Sequence, residues 1–451
     1  MSIIGVLGQG SSWEEMCSSA ESALSDLQSR FIEEFRRGGD HNQWGQFLNP
    51  PPQREHTGIY GTASGILVSA LPEHGDYHAE IEQAQQWLID QWESDDSETA
   101  ESGYKSIVYK FVFCLLALSE EEETIFGTGH HHDRDPEIIE EFYEDLWERA
   151  NDSGWGEFWF ESERTETQNA STALALLALA DHPPVREQGA YTDYLVSLSE
   201  RVVANSARSN STSREGENYD ALSLAFTLLA LCRYRDLVGK PRVESVIPEK
   251  INDTAKSLES HLSRQRKIDL QTYHVNLISL PDSEEALPIE REHYIIFPVF
   301  PIIATALLQA GDDFAARNKT TLLEIFESYT GEIRQSNNSC FASENTNRCS
   351  TFDHLWISLA FQSFIDANPQ DASRFSKLRG WVTQKTIATG GILLLTITGF
   401  LVGAYLNQNM TGTVPTVVSW ALFIICGSIL RGLHPVQAVG DKVGEFIQRL
   451  S

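Results

Sequence analysis

Six apolar runs punctuate the chain: TASGILVSAL at 62–71, KFVFCLLAL at 110–118, ASTALALLALA at 170–180, DALSLAFTLLAL at 220–231, FPVFPIIATALLQA at 297–310 and DHLWISLAFQSF at 353–364. Each is apolar nearly all round, as expected of a helix covered on several sides. The stretches that follow, such as YHAEIEQAQQWLIDQWE at 77–93, are amphipathic. Leucine and alanine are strong helix formers, and alternation of β-branched residues is scarce. The pattern predicts an all-α body with an inner layer of apolar helices and an outer layer of amphipathic ones. The uneven but recurrent spacing of the runs, roughly fifty residues, reads as a weak internal repeat of helix pairs. Two-layer repeats of this kind extend as an open superhelix or close on themselves, and six pairs is about what closure into a toroid needs.

Two uncharged segments near the C-terminus, 386–406 and 414–430, break this rhythm. The first meets the length a helix needs to cross a hydrocarbon core of about 30 Å, and neither offers a polar face. We read them as transmembrane spans rather than buried core helices. Arg374, Lys377, Arg379 and Lys385 precede the pair, Arg431 and Lys442 follow it, and the connecting NQNMTGTVP carries no charge. That bias predicts a two-span protein of the cell membrane with both ends in the cytoplasm. Gly399 and Gly403 have a spacing that lets two helices approach closely. The expected organisation is an N-terminal helical segment at 1–39, a repeat domain at 40–373 and a membrane anchor at 374–451.

Composition narrows the partners. The formal charge is −30 over 451 residues, and so acidic a chain argues against nucleic acid as a partner. Acidic side chains are spread along the body and only 10 of the 34 basic residues are lysine. The composition resembles that of haloarchaeal proteins, since concentrated salt mutes self-repulsion. The six cysteines include no CxxC spacing. Four lie in apolar runs as small buried residues, while Cys340 and Cys349 flank a polar loop. We expect those two to be free thiols in a reducing cytoplasm. The N-terminus lacks a basic region and a long apolar core, so no signal peptide is expected.

QWGQF at 43–47 and GWGEF at 154–158 are each followed, after a polar connector, by a threonine- and alanine-rich helix, in HTGIYGTASGILVSAL and TQNASTALALLALAD. This arrangement resembles the repeats of the terpenoid cyclase and protein prenyltransferase superfamily, and it covers residues 40 to 365. The resemblance implies an (α/α)6 toroid in which Trp44 and Trp155 are turn and packing residues. The family's catalytic signatures are missing. There is no DxDD string, and SDDSE at 94–98 and GDDF at 311–314 fall in polar connectors. Cys349, Asp353 and His354 depart from the zinc-binding spacing of the prenyltransferases, and no CHG motif of lanthionine-cyclase toroids occurs. His130 to His132 read as a solvated loop, because three consecutive imidazoles cannot all face one ion. We therefore expect no metal and no cofactor.

Candidate chemistry gathers at the N-terminal ends of the apolar runs. His56, Tyr60, Tyr219, Arg291, His293 and Tyr294 are the expected ligand-binding residues, and Asp220, Asp353 and His354 the expected acid or base groups. In a closed toroid these ends converge on one rim, where helix dipoles favour an anionic group such as a diphosphate. Helix capping is the plainer role for the same residues. Two functions follow. One is a non-catalytic scaffold, tethered to the bilayer, for a protein or lipid partner. The other is a membrane-bound enzyme acting on an isoprenoid.

Overall fold

The computed structural model describes residues 12–37, 43–45, 48, 58–72, 77–94, 108–119, 126, 136–156, 159–160, 163–164, 168–208, 214–239, 246–264, 272–277, 293–335 and 349–367. The chain divides into two compact units, Met1–Pro369 and Gln370–Ser451. All described residues belong to the first. Both predicted spans lie outside them, and among the described residues no helix is long and apolar enough to cross a membrane.

Each of the six apolar runs is helical over most or all of its length. They form α2 (Ile59–Ser69), α4 (Val108–Leu118), α6 (Asn169–Leu179), α9 (Arg214–Val238), α11 (Val299–Ala310) and α14 (Thr351–Asp366). Between them stand α1 (Trp13–Arg37), α3 (His78–Ser94), α5 (Pro136–Glu148), α8 (Gly189–Arg208), α10 (Val246–Arg264) and α13 (Lys319–Gln335), with short helices α7 (Pro183–Arg186) and α12 (Asp312–Arg317). The apolar helices pack in a circuit: α2 on α4, α4 on α6, α6 on α9, α9 on α11, α11 on α14, and α14 back on α2. The amphipathic helices cover this circuit. Helix α3 packs on α2 and α4, α5 on α4 and α6, α8 on α6 and α9, α10 on α9 and α11, and α1 on α2, α13 and α14.

The expected helical architecture holds, with two additions. Strands β1 (Trp159–Phe160) and β2 (Glu163–Arg164) form one antiparallel pair, and β3 (Thr272–Leu277) and β4 (His293–Pro298) form another. In the second, Thr272 faces Pro298 and Leu277 faces His293. Strand β4 runs directly into α11, so the start of the FPVFPIIATALLQA run is strand and not helix. Pro298 separates the two states, because a proline disfavours the α conformation of the residue before it, here Phe297.

The two Trp-Gly copies have matching hydrogen bonds. The indole of Trp44 donates to the carbonyl of Phe31 on α1 at 2.7 Å, and that of Trp155 to the carbonyl of Leu146 on α5 at 2.7 Å. The Trp44 amide donates to Thr62 Oγ1 on α2, and the Trp155 amide to Thr172 Oγ1 on α6, at 3.3 and 3.0 Å. Each threonine hydroxyl returns a bond to the same tryptophan's carbonyl. Each tryptophan therefore staples an outer helix to the inner helix after it. The packing is close: a Cβ added at Gly65 would overlap the Trp44 ring, and one at Gly61 would overlap the Gly45 carbonyl. Gly154 holds a left-handed φ of 128° against Thr172, a conformation that favours glycine.

The last carbonyls of a helix need partners from outside it. Here the neighbouring elements supply them. Gln28 Nε2 on α1 donates to Val68 O and Leu71 O at the end of α2, both at 3.0 Å. Gln85 Nε2 on α3 donates to Ala117 O of α4 at 2.9 Å, and Tyr191 OH on α8 to Leu176 O of α6 at 2.6 Å. Arg235 Nη2 donates to Gln309 O of α11 at 2.9 Å, and Trp13 Nε1 on α1 to Ala367 O after α14 at 3.2 Å.

Cys17, Cys114 and Cys232 are free thiols. Burial pushes their pKa values up, to about 11 at Cys17 and about 12 at Cys232. Cys349, however, is disulfide-bonded, which corrects the expectation of a free thiol there. The reason is geometric: a disulfide requires only that two Cα atoms come within about 7 Å, and sequence spacing does not report that distance.

Candidate functional site

The rim residues separate into distinct environments. His56 and Arg291 lie outside the described residues, as do His130 to His132. Tyr219 and Asp220 are inside α9, which begins at Arg214, so they are not at a helix start. Asp220 is half-buried. His293 and Tyr294 are not at the N-terminus of an apolar helix either, because they sit at the far end of β4 from α11. Tyr60 is in the first turn of α2, with its ring centroid 5.9 Å from that of Phe352. Only Tyr60, Asp353 and His354 combine a described side chain with the predicted place.

Asp353 and His354 occupy the first turn of α14, and neither caps it. Ser350 is the N-cap, its hydroxyl accepting from the Asp353 amide at 3.4 Å. The Ser350 carbonyl accepts from the His354 amide at 3.2 Å and lies 2.6 Å from His354 Nδ1. A carbonyl only accepts, so Nδ1 carries the proton. Both side chains are 0% exposed. Burial lowers the His354 pKa to about 4, partly opposed by the bond to Ser350. Burial raises Asp353 well above the usual carboxylate range, and neither of its oxygens has a hydrogen-bond partner among the described residues. Desolvation with no compensating donor favours the neutral acid.

An aromatic cluster fills the space behind this turn. Trp356 of α14 lies 6.1 Å from Phe113 of α4, 5.4 Å from Phe226 of α9 and 6.0 Å from Phe126. Phe113 also meets Phe352 edge-on at 4.9 Å. Helices α4 and α9 are not neighbours of α14 in the packing circuit, so these contacts reach across it. Phe113, Phe226 and Trp356 are 0% exposed.

A second polar group stands at the opposite ends of the apolar helices, and it was not among the expected site residues. Arg233 near the end of α9 grips Asp181, just after α6, with bonds of 2.6 and 2.5 Å. Its Nη2 also reaches Ser119 Oγ, following α4, at 3.5 Å, and its guanidinium lies 5.7 Å from the Phe126 ring. A buried, bidentate pair of this kind holds three helix ends in register. The signal was present in the sequence, since Asp181 directly follows one apolar run and Arg233 closely follows another. His182, beside this pair, stacks on Tyr143 at 5.0 Å with an interplanar angle of 3°.

No group of three or more histidine, cysteine or acidic residues among the described residues could hold a metal ion. Comparison with protein families, curated proteins and solved structures found no match to this chain.

Proposed function

We propose that the body is a closed α/α toroid of six helix pairs, distantly similar to the terpenoid cyclase and prenyltransferase repeats, and that it works as a non-catalytic binding scaffold. The packing circuit of α2, α4, α6, α9, α11 and α14 supports the closed form. So does the recurrence of one tryptophan staple in two repeats. The observation that carries the scaffold reading is the filled centre. Trp356 meets Phe113 and Phe226 across the circuit, and all three are fully buried, whereas an enzyme of this architecture needs that space for substrate. The apolar segments 386–406 and 414–430 supply the tether to the bilayer. On this reading the partner is a protein or a lipid, bound on the outside of the ring.

The full-length chain, extracted from its own membrane at high salt, tests this directly. A protein or lipid that co-purifies in fixed ratio, and that persists when Asp220, Asp353 and His354 are all replaced, is the expected result. Turnover of a long isoprenoid diphosphate by the same preparation, abolished by Asp353→Asn, would establish the enzyme instead. The disulfide at Cys349 adds a second question, because such bonds persist in oxidising compartments. Accessibility of the body to a membrane-impermeant label in intact cells decides on which side it lies.

A further inference from the structure

Asparagine two residues ahead of serine or threonine recurs along this chain, never with proline between. Six such tripeptides lie in the body, at Asn151, Asn169, Asn210, Asn252, Asn318 and Asn337, and a seventh, at Asn409, lies in the connector between the apolar segments. The chain has 17 asparagines, and serine and threonine account for 70 of its 451 residues, so chance alone completes roughly three such tripeptides. The tripeptide is the acceptor of N-linked glycans, which need it at the surface of a chain exposed outside the cell.

The structure separates the four described copies. Ser171 and Thr254, the hydroxyl residues of the copies at Asn169 and Asn252, are 0% exposed within α6 and α10. The Asn318 amide nitrogen, the atom that would carry the sugar, already donates to Glu259 Oε1 at 2.6 Å and to Phe314 O at 2.9 Å. The copy at Asn151 is the one that ends in an exposed residue at a turn. Asp152 and Ser153 are exposed, and they form the tip of the loop in which Asn151 and Gly154 exchange backbone bonds of 2.9 and 3.2 Å. The Ser153 amide donates to Asn151 Oδ1 at 2.8 Å, which closes an Asx turn. Tyr194 and Arg201 of α8 brace the loop through bonds to Asn151 O at 2.8 Å and Ser153 O at 3.3 Å.

A second observation points to the same compartment. Cys349 is disulfide-bonded, and such bonds persist where thiols are not kept reduced. We infer that the body lies on the outer face of the membrane and that Asn151 is an acceptor for an N-linked glycan. In the transfer, the Asn151 side-chain nitrogen attacks C1 of a sugar carried on a lipid phosphate. The N–C1 bond forms, the C1–O bond breaks, the phosphate leaves with the electron pair, and the nitrogen yields one proton to a base of the transferase. The basic residues beside the apolar segments favour the opposite orientation, in which the body is inside and Asn409 is the one copy of the seven outside. The inference does not rest on the scaffold reading, since a scaffold and an enzyme can both be glycosylated.

The test is peptide mass spectrometry of the full chain taken from its own membrane. A sugar mass on the Asn151 peptide, absent in Ser153→Ala and retained in Ser153→Thr, with Asn409 bare, is the expected result. Ser153→Ala keeps both the acceptor amide and the backbone donor of the turn and changes only an exposed side chain, so loss of the sugar reports recognition of the tripeptide and not a failure to fold. A bare Asn151, a sugar at Asn409, or a mass that persists in Ser153→Ala would overturn the inference.

Discussion

Gly65 offers a sharp test of the tryptophan staple, because the change it makes should run against helix propensity. In an ordinary helix interior, glycine to alanine stabilises by up to about 1 kcal/mol. At Gly65→Ala the new methyl would overlap Cδ2, Cε3 and Cε2 of Trp44. That ring is 1% exposed and held by its indole bond to Phe31 O at 2.7 Å, with the backbone of the same residue fixed by Thr62. It can yield only by giving up those bonds or by parting α1 from α2. Overpacking of this kind costs about 1–3 kcal/mol, and a stranded indole N–H adds about 1–3 kcal/mol. After the propensity gain is subtracted, a net loss of about 1–5 kcal/mol is expected. Gly331→Ala is the matched control: it lies within α13 with nothing inside 4 Å of the added Cβ, so it should stabilise by about 0.5–1 kcal/mol. Equilibrium unfolding by urea at fixed high salt reads both. Equal signs for the two variants, or a stable Gly65→Ala protein, would refute the staple.

Four further outcomes are expected. Asp181→Ala should destabilise by about 3–5 kcal/mol by leaving the Arg233 charge buried and alone, whereas replacing both partners with apolar residues should restore most of the loss in the same unfolding assay. Asp353, whose folded-state pKa is raised, contributes stability that is complete below the unfolded value near 4 and is lost as pH rises towards the folded value. Asp353→Asn should accordingly be more stable than the parent at pH 7 and show no such advantage at pH 3. His354, lowered to about 4, acts in the opposite sense, and its contribution of about 3 kcal/mol should disappear as pH falls from about 6.5 to about 4; His354→Gln should remove that slope. Finally, Cys349 should resist alkylation in denaturant until a reductant is added, while Cys114 and Cys232 label without it; peptide mass spectrometry distinguishes the two classes.

The apolar helices were legible in the sequence because burial on every side leaves an unmistakable run, and all six predicted runs mark helices of the inner circuit. Their ends were less so. Periodicity reports burial, so the polar residues from Arg214 to Tyr219, which extend α9 by more than a turn, gave no sign of helix. Strand β4 escaped notice because YIIF at 294–297 is a continuous apolar stretch, which strand and buried helix share. For the candidate site, the identity of Asp353 was visible while its isolation was not, since the lack of a partner is a property of three dimensions. Gln28 and Gln85 illustrate the same limit. Each reads as one more polar residue on an amphipathic helix, and only the arrival of an inner helix end gives it a task.

The bond from Trp13 to Ala367 joins residues 354 positions apart, and the Trp13 ring stacks on Phe364 at 3.9 Å. Among the described helices α1 leaves the ribosome before the others, and two of its partners, α13 and α14, emerge after them. Until then its apolar stripe, including Leu24, Leu27 and Phe31, has of its three partner helices α2 alone to cover it, together with Trp44. Such long-range closure slows folding and leaves sticky intermediates. The nascent chain thus has a period, nearly as long as its own translation, in which the first helix depends on a chaperone or on the growing body for shelter.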